Sequence, residues 1–404
     1  MNTKFLTDRA EVHFNTSTHL YIILVSVLVL IVGVLALKKL EAPNKYILPL
    51  MGAMGIVIGF IFWFTKQNVM LVIDKKAQTI QIQEKTKQGL LTSTLPFDNF
   101  NALIVQRAVS ISRNNSAGTS SKSVSFQIQL KRNDGAMVKL ATYHQLNNAY
   151  EFVSKLKKIV PYQVYIIDAP MEEYKTGVQK LKQLEGAQVL DDYTPLLKSH
   201  LTTQQTPAKI QLPTSPGFDK THNAEGTTYQ WSNRKNIAVM LLGVIFITGF
   251  IFLIQLIDHK GIRLGANIFM GLICLAMVAG LINSAFGTSY LHLGKQQLTH
   301  KSVLFGKTIG SQSWNYSQLA EIMSELGTQG DQSIQLSSKK GQDLLHQLAH
   351  SSPENLVSQM MGLISHYKSY FMTIDVSGLL LSERLYLELE IAKKMTQSQS
   401  ESSQ

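Results

Sequence analysis

Residues 20–37 read LYIILVSVLVLIVGVLAL, eighteen positions without Asp, Glu, Lys or Arg. A helix over them rises about 27 Å at ~1.5 Å per residue, close to the ~30 Å of hydrocarbon in a bilayer. Three further runs share the property: Tyr46 to Phe64, Ile237 to Ile257 and Ala266 to Ala285. A buried helix of a water-soluble domain seldom runs so long without a polar face, so the four runs are expected to be transmembrane helices, paired into two hairpins. The first exceeds the ~7–15 residue apolar stretch of a secretory signal and is soon followed by the second, so it reads as a retained helix. The lone cysteine, Cys274, lies in the fourth run, which leaves no pair for an internal disulfide and fits a reducing compartment.

Lys and Arg favour the cytoplasmic side of a membrane protein. The hairpin loops carry Lys38, Lys39, Lys45, Lys260 and Arg263, whereas more cations flank the hairpins: Lys4, Arg9, Lys66, Lys75, Lys76, Lys85, Arg234, Lys235, Lys295 and Lys301. The expectation is a multi-pass protein of the bacterial inner (cytoplasmic) membrane, its non-membrane parts in the cytoplasm.

The chain also repeats itself, the second hairpin beginning about 220 residues after the first. Leu71-Val72-Ile73-Asp74-Lys75 is echoed by Leu291-His292-Leu293-Gly294-Lys295, with Thr79 opposite Thr299, and both segments alternate as half-buried strands do. Ile128-Gln129-Leu130 is echoed by Ile334-Gln335-Leu336, followed by Asn133-Asp134-Gly135 and Lys339-Lys340-Gly341, both read as hairpin turns. A helix over Asn147 to Ile159, with Tyr150, Val153, Leu156 and Ile159 on one face, is paired with one over Pro353 to Ser365. Tyr162 to Tyr165 before Asp168 resembles Tyr367 to Tyr370 before Asp375, and each leads into an amphipathic helix, Met171 to Leu184 and Leu379 to Met395.

The resulting organisation is an N-terminal segment (1–18), hairpin 1 (19–66), a strand-rich domain (67–160), a strand and helix extension (161–200), a linker (201–235), hairpin 2 (236–286), a second strand-rich domain (287–367), its extension (368–396) and a disordered tail (397–404). The linker assignment rests on the Thr, Gln, Pro and Gly of Thr202 to Gly226, and Ser110 to Ser123 reads as a loop.

Short strands rich in Ile, Leu and Gln, an aromatic after a polar stretch at Pro96-Phe97 and Ser313-Trp314, a hairpin and a closing helix together resemble the bacterial membrane-anchored pleckstrin-homology-like domains, here duplicated. The resemblance covers Val69 to Ile159 and Tyr290 to Tyr367. It implies an α+β membrane protein: two transmembrane helical hairpins, each followed by a small bent sheet with a closing helix, serving membrane-proximal binding and scaffolding and not catalysis. No ligand site is carried over from it, because the strand and helix after each closing helix depart from the pattern.

Motifs for phosphate, zinc or serine chemistry are absent from the sequence. His346 and His350 have helical metal-ligand spacing but fall where the repeat places a strand end and a loop. Ser337-Ser338-Lys339-Lys340 has a nucleophile-like spacing in a turn, and Asp168 and Asp375 read as caps or turns. No catalytic residue, cofactor or metal is assigned. Gln255, Asn267 and Asn283 are too little polarity for a transport path. Gly55 with Gly59, and Ala276 with Gly280, have the small-residue spacing of close helix packing and are the candidate helix-packing positions.

The charge of +11 is uneven. Val69 to Val160 holds thirteen Lys and Arg against five Asp and Glu, whereas Ser289 to Lys368 holds six against five. The surplus includes Lys155, Lys157 and Lys158, the candidate contacts to anionic lipid; nucleic acid is not favoured. The expected function is a non-enzymatic integral membrane scaffold whose cytoplasmic modules contact a protein partner or lipid headgroups. The alternative is an inner-membrane accessory or immunity-like factor acting on another membrane protein through its helices.

Overall fold

The computed structural model describes residues 2–14, 18–36, 69–114, 119–167, 187–190, 208–232, 285–323, 325–326, 333–349, 367–376 and 378–401, with isolated positions between 52 and 56 and between 271 and 283. Over these residues the chain is mostly β, in four sheets. The first sheet holds β1 (Asn2–Phe5), β2 (Arg9–His13), β3 (Val69–Asp74), β4 (Thr79–Thr86) and β5 (Gly89–Pro96), antiparallel in chain order. The second is built on β6 (Phe100–Asn114), β7 (Thr119–Arg132) and β8 (Met137–Tyr143); β9 (Gln163–Ile167) lies parallel to β6, and β10 (Gln188–Leu190) parallel to β9. The third repeats the first with β11 (Phe218–Asn223), β12 (Gly226–Ser232), β13 (Gly287–Gly294), β14 (Gln297–Leu304) and β15 (Lys307–Asn315). The fourth holds β16 (Leu319–Ile322), β18 (Ser333–Ser338) and β19 (Phe371–Asp375), while β17 (Glu325–Leu326) crosses over to pair with β8.

The helices are α1 (Thr18–Ala36), α2 (Leu146–Lys157), α3 (Lys339–Ala349) and α4 (Leu381–Glu401). Strand alternation explains why these segments pair: Ile80 and Ile82 of β4 face a core that Leu71 and Ile73 of β3 also enter, while Gln81 and Gln83 point away. Helix α2 buries Ala149, Phe152, Val153 and Leu156 on one stripe over that core.

The expectation of an α+β membrane protein on two transmembrane hairpins is corrected here. No helix among the described residues is long and apolar enough to cross a membrane. The multi-pass placement in an inner membrane, and the bilayer as an integral partner of four helices, are corrected with it. Of the four apolar runs, the first forms α1, whose 19 residues rise about 28 Å. Its Leu24, Leu28, Ile31 and Leu35 are exposed. One spot on it is covered from the second run: a Cβ built on buried Gly52 would collide with the Leu30 backbone, so the two backbones touch there. The third run lies outside the described residues, as do Gly55, Gly59 and Ala276; Gly280 is helical and half-buried.

Other readings change too. Residues 218–232, assigned to the linker, form β11 and β12, because β13 offers them a partner edge from Gly226↔Gly294 to Ser232↔Thr288. Ser110 to Ser123 falls largely in the long β6–β7 pair. Lys339-Lys340-Gly341 opens α3 and makes no hairpin, because the Ser338 hydroxyl accepts the Gly341 N–H as a helix cap. His346 is therefore helical; His350, Pro353 to Ser365, Asp168 and Met171 to Leu184 lie outside the described residues. Thr79 pairs with Asp74 whereas Thr299 pairs with His292, so the second β-turn is shorter and the strands keep their faces but not their register.

The repeat itself is visible in strand order. β13-β14-β15 follow the order of β3-β4-β5, and β16-β18-β19 follow that of β6-β7-β8, antiparallel in both cases. On this topology the helix answering α2 is α4, which follows β19, and the counterpart of β8 is β19. The likeness between Tyr162 to Tyr165 and Tyr367 to Tyr370 is not structural: the former runs into β9, and the latter is a short helical turn.

Helix α4 joins the halves. Leu381 and Leu385 enter the core of the first half, and Leu387, Ile391 and Met395 enter that of the second. Two residues turn the helix by about 200°, so the two stripes lie on opposite sides of it. Each fully buried leucine contributes roughly 2 kcal/mol, so this one helix supplies a large share of what holds the halves together.

Candidate functional site

The β7–β8 turn begins with Lys131-Arg132-Asn133-Asp134-Gly135, and a turn of that composition belongs at a surface. Here it is buried: Lys131 and Arg132 are each 1% exposed. Gly135 takes φ +99°, which closes the turn through its N–H donating to the Arg132 carbonyl at 3.0 Å. The Asn133 amide side chain donates to the Asp98 carbonyl at 2.6 Å, tying the turn to the start of β6.

Arg132 reaches across to α4. Its Nη1 donates to Glu388 Oε2 at 2.8 Å, its Nη2 pairs with Asp134, and Arg384 Nε donates to Glu388 Oε1 at 3.0 Å. Glu388 is fully buried, seven residues after Leu381 on the same face. Burial disfavours the Arg132 charge, but Asp134 and Glu388 more than offset it and hold the guanidinium above its usual range. Asp134 is pushed up by burial, against the pull of Arg132.

A second contact runs to β16. The Ile322 N–H donates to the Asp134 carbonyl at 2.9 Å, and a Cβ on Gly135 would meet Glu321 Cβ at 2.6 Å. Glu321 is buried and its carboxyl is pushed up to about 7 by burial, opposed by the Lys131 charge. Lys131 in turn is pushed down by burial, opposed by Glu321 and Asp134. The start of α4 is fixed separately: Glu84 of β4 accepts the N–H groups of Leu381 at 3.2 Å and Ser382 at 3.1 Å. A carboxylate there satisfies amides that have no partner within the helix and sits at the positive end of its dipole. Glu383 accepts the Leu380 N–H at 2.6 Å and that of Gly217, which leads into β11.

This junction was legible only in part. Glu84 continues the inward-facing alternation of Ile80 and Ile82, and Glu388 the inward stripe of α4; a charged residue on an apolar face is a signal for a buried partner. Glu84 meets the start of α4 297 residues on, and Glu388 meets Arg132 256 residues back in addition to Arg384 of its own helix.

The expected lysine contacts sit elsewhere, at the end of α2. Lys155 and Lys158 are exposed and Lys157 is half-buried. Lys155 pairs with Glu151 at 2.7 Å, which holds that carboxyl below its usual range, and lies over the Phe5 ring at 5.8 Å. Lys75 Nζ donates to the Lys158 carbonyl at 2.8 Å, which brings the β3–β4 turn, with Lys76, to the same helix end. The C-terminal end of a helix favours such cations. Among the described charges between Val69 and Val160, Arg107, Lys131 and Arg132 are buried, but so are Glu84 and Asp134, so burial trims the surplus of cations only slightly. Among the described residues no group of three or more His, Cys, Asp or Glu is placed to hold a metal ion. Comparison with known proteins finds no matching family model, no matching curated protein and no matching solved structure.

Proposed function

We propose that this chain is a non-enzymatic scaffold or binding protein in which two pleckstrin-homology-like modules contact a protein partner or lipid headgroups. The division of labour among the charged residues carries this reading. Arg132, Asp134, Arg384 and Glu388 are buried and engaged in joining the halves, whereas Lys75, Lys76, Lys155 and Lys158 stand exposed together at one end of α2. A locked pair of modules with cations gathered on one end suits recognition of an anionic surface, since a rigid body loses little freedom when it binds. The two halves share strand order, β3-β4-β5 and β6-β7-β8 answering to β13-β14-β15 and β16-β18-β19, so that whatever the first module recognises has a second module of like build beside it.

The test compares the full wild-type chain with K155Q/K157Q/K158Q in two assays: retention of partners from a mild-detergent extract, identified by mass spectrometry, and binding to anionic vesicles at rising salt. Weakened binding by the variant in either assay supports the reading, with salt sensitivity expected because the Debye length falls from ~10 Å at 0.1 M to ~3 Å at 1 M. Equal behaviour of the two proteins in both assays would refute it.

A further inference from the structure

The hairpin β14–β15 ends in a surface that the packing of the fold does not require. Phe305 and Gly306 form its two-residue turn between the pair Leu304↔Lys307, with φ values of +51° and +76°. Such turns favour Asn-Gly, and a bulky aromatic in the left-handed region costs roughly 1–2 kcal/mol. The strained residue is nevertheless 63% exposed. Its ring lies 4.8 Å from that of Phe286, itself 57% exposed. Beside them Ile309 is the extra residue of a β-bulge between Ser302↔Gly310 and Val303↔Thr308, and it is 59% exposed. Two backbone irregularities thus hold apolar side chains outward, next to the position where the apolar run 266–285 enters the sheet.

Charge decides among occupants. Exposed Lys301 and Lys307 flank the tip. From His259 to Ala320 the chain contains Lys260, Arg263, Lys295, Lys301 and Lys307 and no Asp or Glu at all. An aromatic tip rimmed by lysines, in a stretch free of acids, matches a layer that is anionic outside and apolar just beneath, which is the boundary of headgroups and acyl chains. We infer that Phe286, Phe305 and Ile309 insert at the interfacial layer of an anionic lipid surface, with Lys301 and Lys307 on its headgroups. This rests on reading the chain as a binding scaffold and names the lipid class that its second half takes.

The test uses the full chain carrying Phe305→Trp and vesicles whose lipids are brominated near the headgroup end of the acyl chain. After subtraction of the parental tryptophan emission, quenching is expected with anionic vesicles, and it should fall as salt rises. In the same vesicles, F286S/F305S/I309S should bind at least about tenfold more weakly than wild type, since three apolar side chains lose their burial. Unquenched emission, quenching as strong with zwitterionic vesicles, or unchanged binding by the triple variant overturns the assignment. So does a protein partner that the wild type retains and the triple variant loses while vesicle binding is unaffected. Failure of the scaffold reading is distinguishable, because it appears as insensitivity to the Lys155, Lys157 and Lys158 replacements at the other site.

Discussion

Replacing Glu321 by Gln should change how the stability of this protein responds to pH, and in a stated direction. The side chain is buried on β16 against Gly135, and the charged groups facing it are Lys131 and Asp134 of the first half. Its carboxyl is raised from 4.5 to about 7, chiefly by burial. Between those values the unfolded chain has lost a proton that the folded chain still holds. Stability therefore falls as pH rises from about 4.5 through 7, and the loss is complete above the folded value. At ~1.4 kcal/mol per pH unit the loss approaches about 3 kcal/mol. Gln keeps the shape and hydrogen-bonding capacity of the protonated acid but does not titrate. Denaturant unfolding of both proteins, followed by tryptophan fluorescence from pH 4.5 to 8, should show the wild type losing about 3 kcal/mol relative to E321Q across the window, with most of the change between pH 5 and 7. Asp134, also raised by burial, contributes a slope of the same sign in both proteins, so the difference between them reports Glu321 together with its coupling to Asp134 and Lys131. Parallel pH profiles, or a wild type that gains on E321Q as pH rises, would refute the assignment of a protonated, buried Glu321 at the junction.

Arg132→Met should destabilise the protein by about 3–5 kcal/mol, because it takes the guanidinium from buried Asp134 and leaves buried Glu388 to Arg384 alone; denaturant midpoints check it, and a loss under about 1 kcal/mol would contradict the role of Arg132 in joining the halves. Gly135→Ala combines a positive φ with a Cβ 2.6 Å from that of Glu321 and should cost at least about 2 kcal/mol, measured the same way, with a loss under about 0.5 kcal/mol contradicting the close approach. Glu84→Gln weakens the cap of α4 and should cost about 1 kcal/mol, with faster amide hydrogen exchange confined to the first turn of that helix around Leu381 and Ser382.

Features that depend on near neighbours in the chain were legible before any fold was known. The apolar stretch Leu71 to Ile73 made β3 a strand, though not a half-buried one, since Val72 is buried along with its neighbours; Asn133-Asp134-Gly135 made a turn because Gly135 tolerates φ +99°, and the spacing of Val153 and Leu156 selected the face that α2 buries. Apolar composition was a poorer guide: it called for four membrane-crossing helices, yet among the described residues none is long and apolar enough, and Gly52 packs against Leu30 through a backbone contact that no hydropathy average contains. Contacts between distant segments account for the remainder. Residues 218–232 have too little apolar periodicity to declare themselves as strands, and they pair because β13 presents an open edge. The Lys339-Lys340-Gly341 stretch could close a hairpin or open a helix, and the Ser338 hydroxyl on the Gly341 amide chose the helix. Arg132 and Glu388, 256 residues apart, share no local pattern at all. Asp134 and Arg384 lie close in sequence to one or the other, but the contact that joins the two pairs across the interior is a property of the folded chain and not of neighbours in sequence.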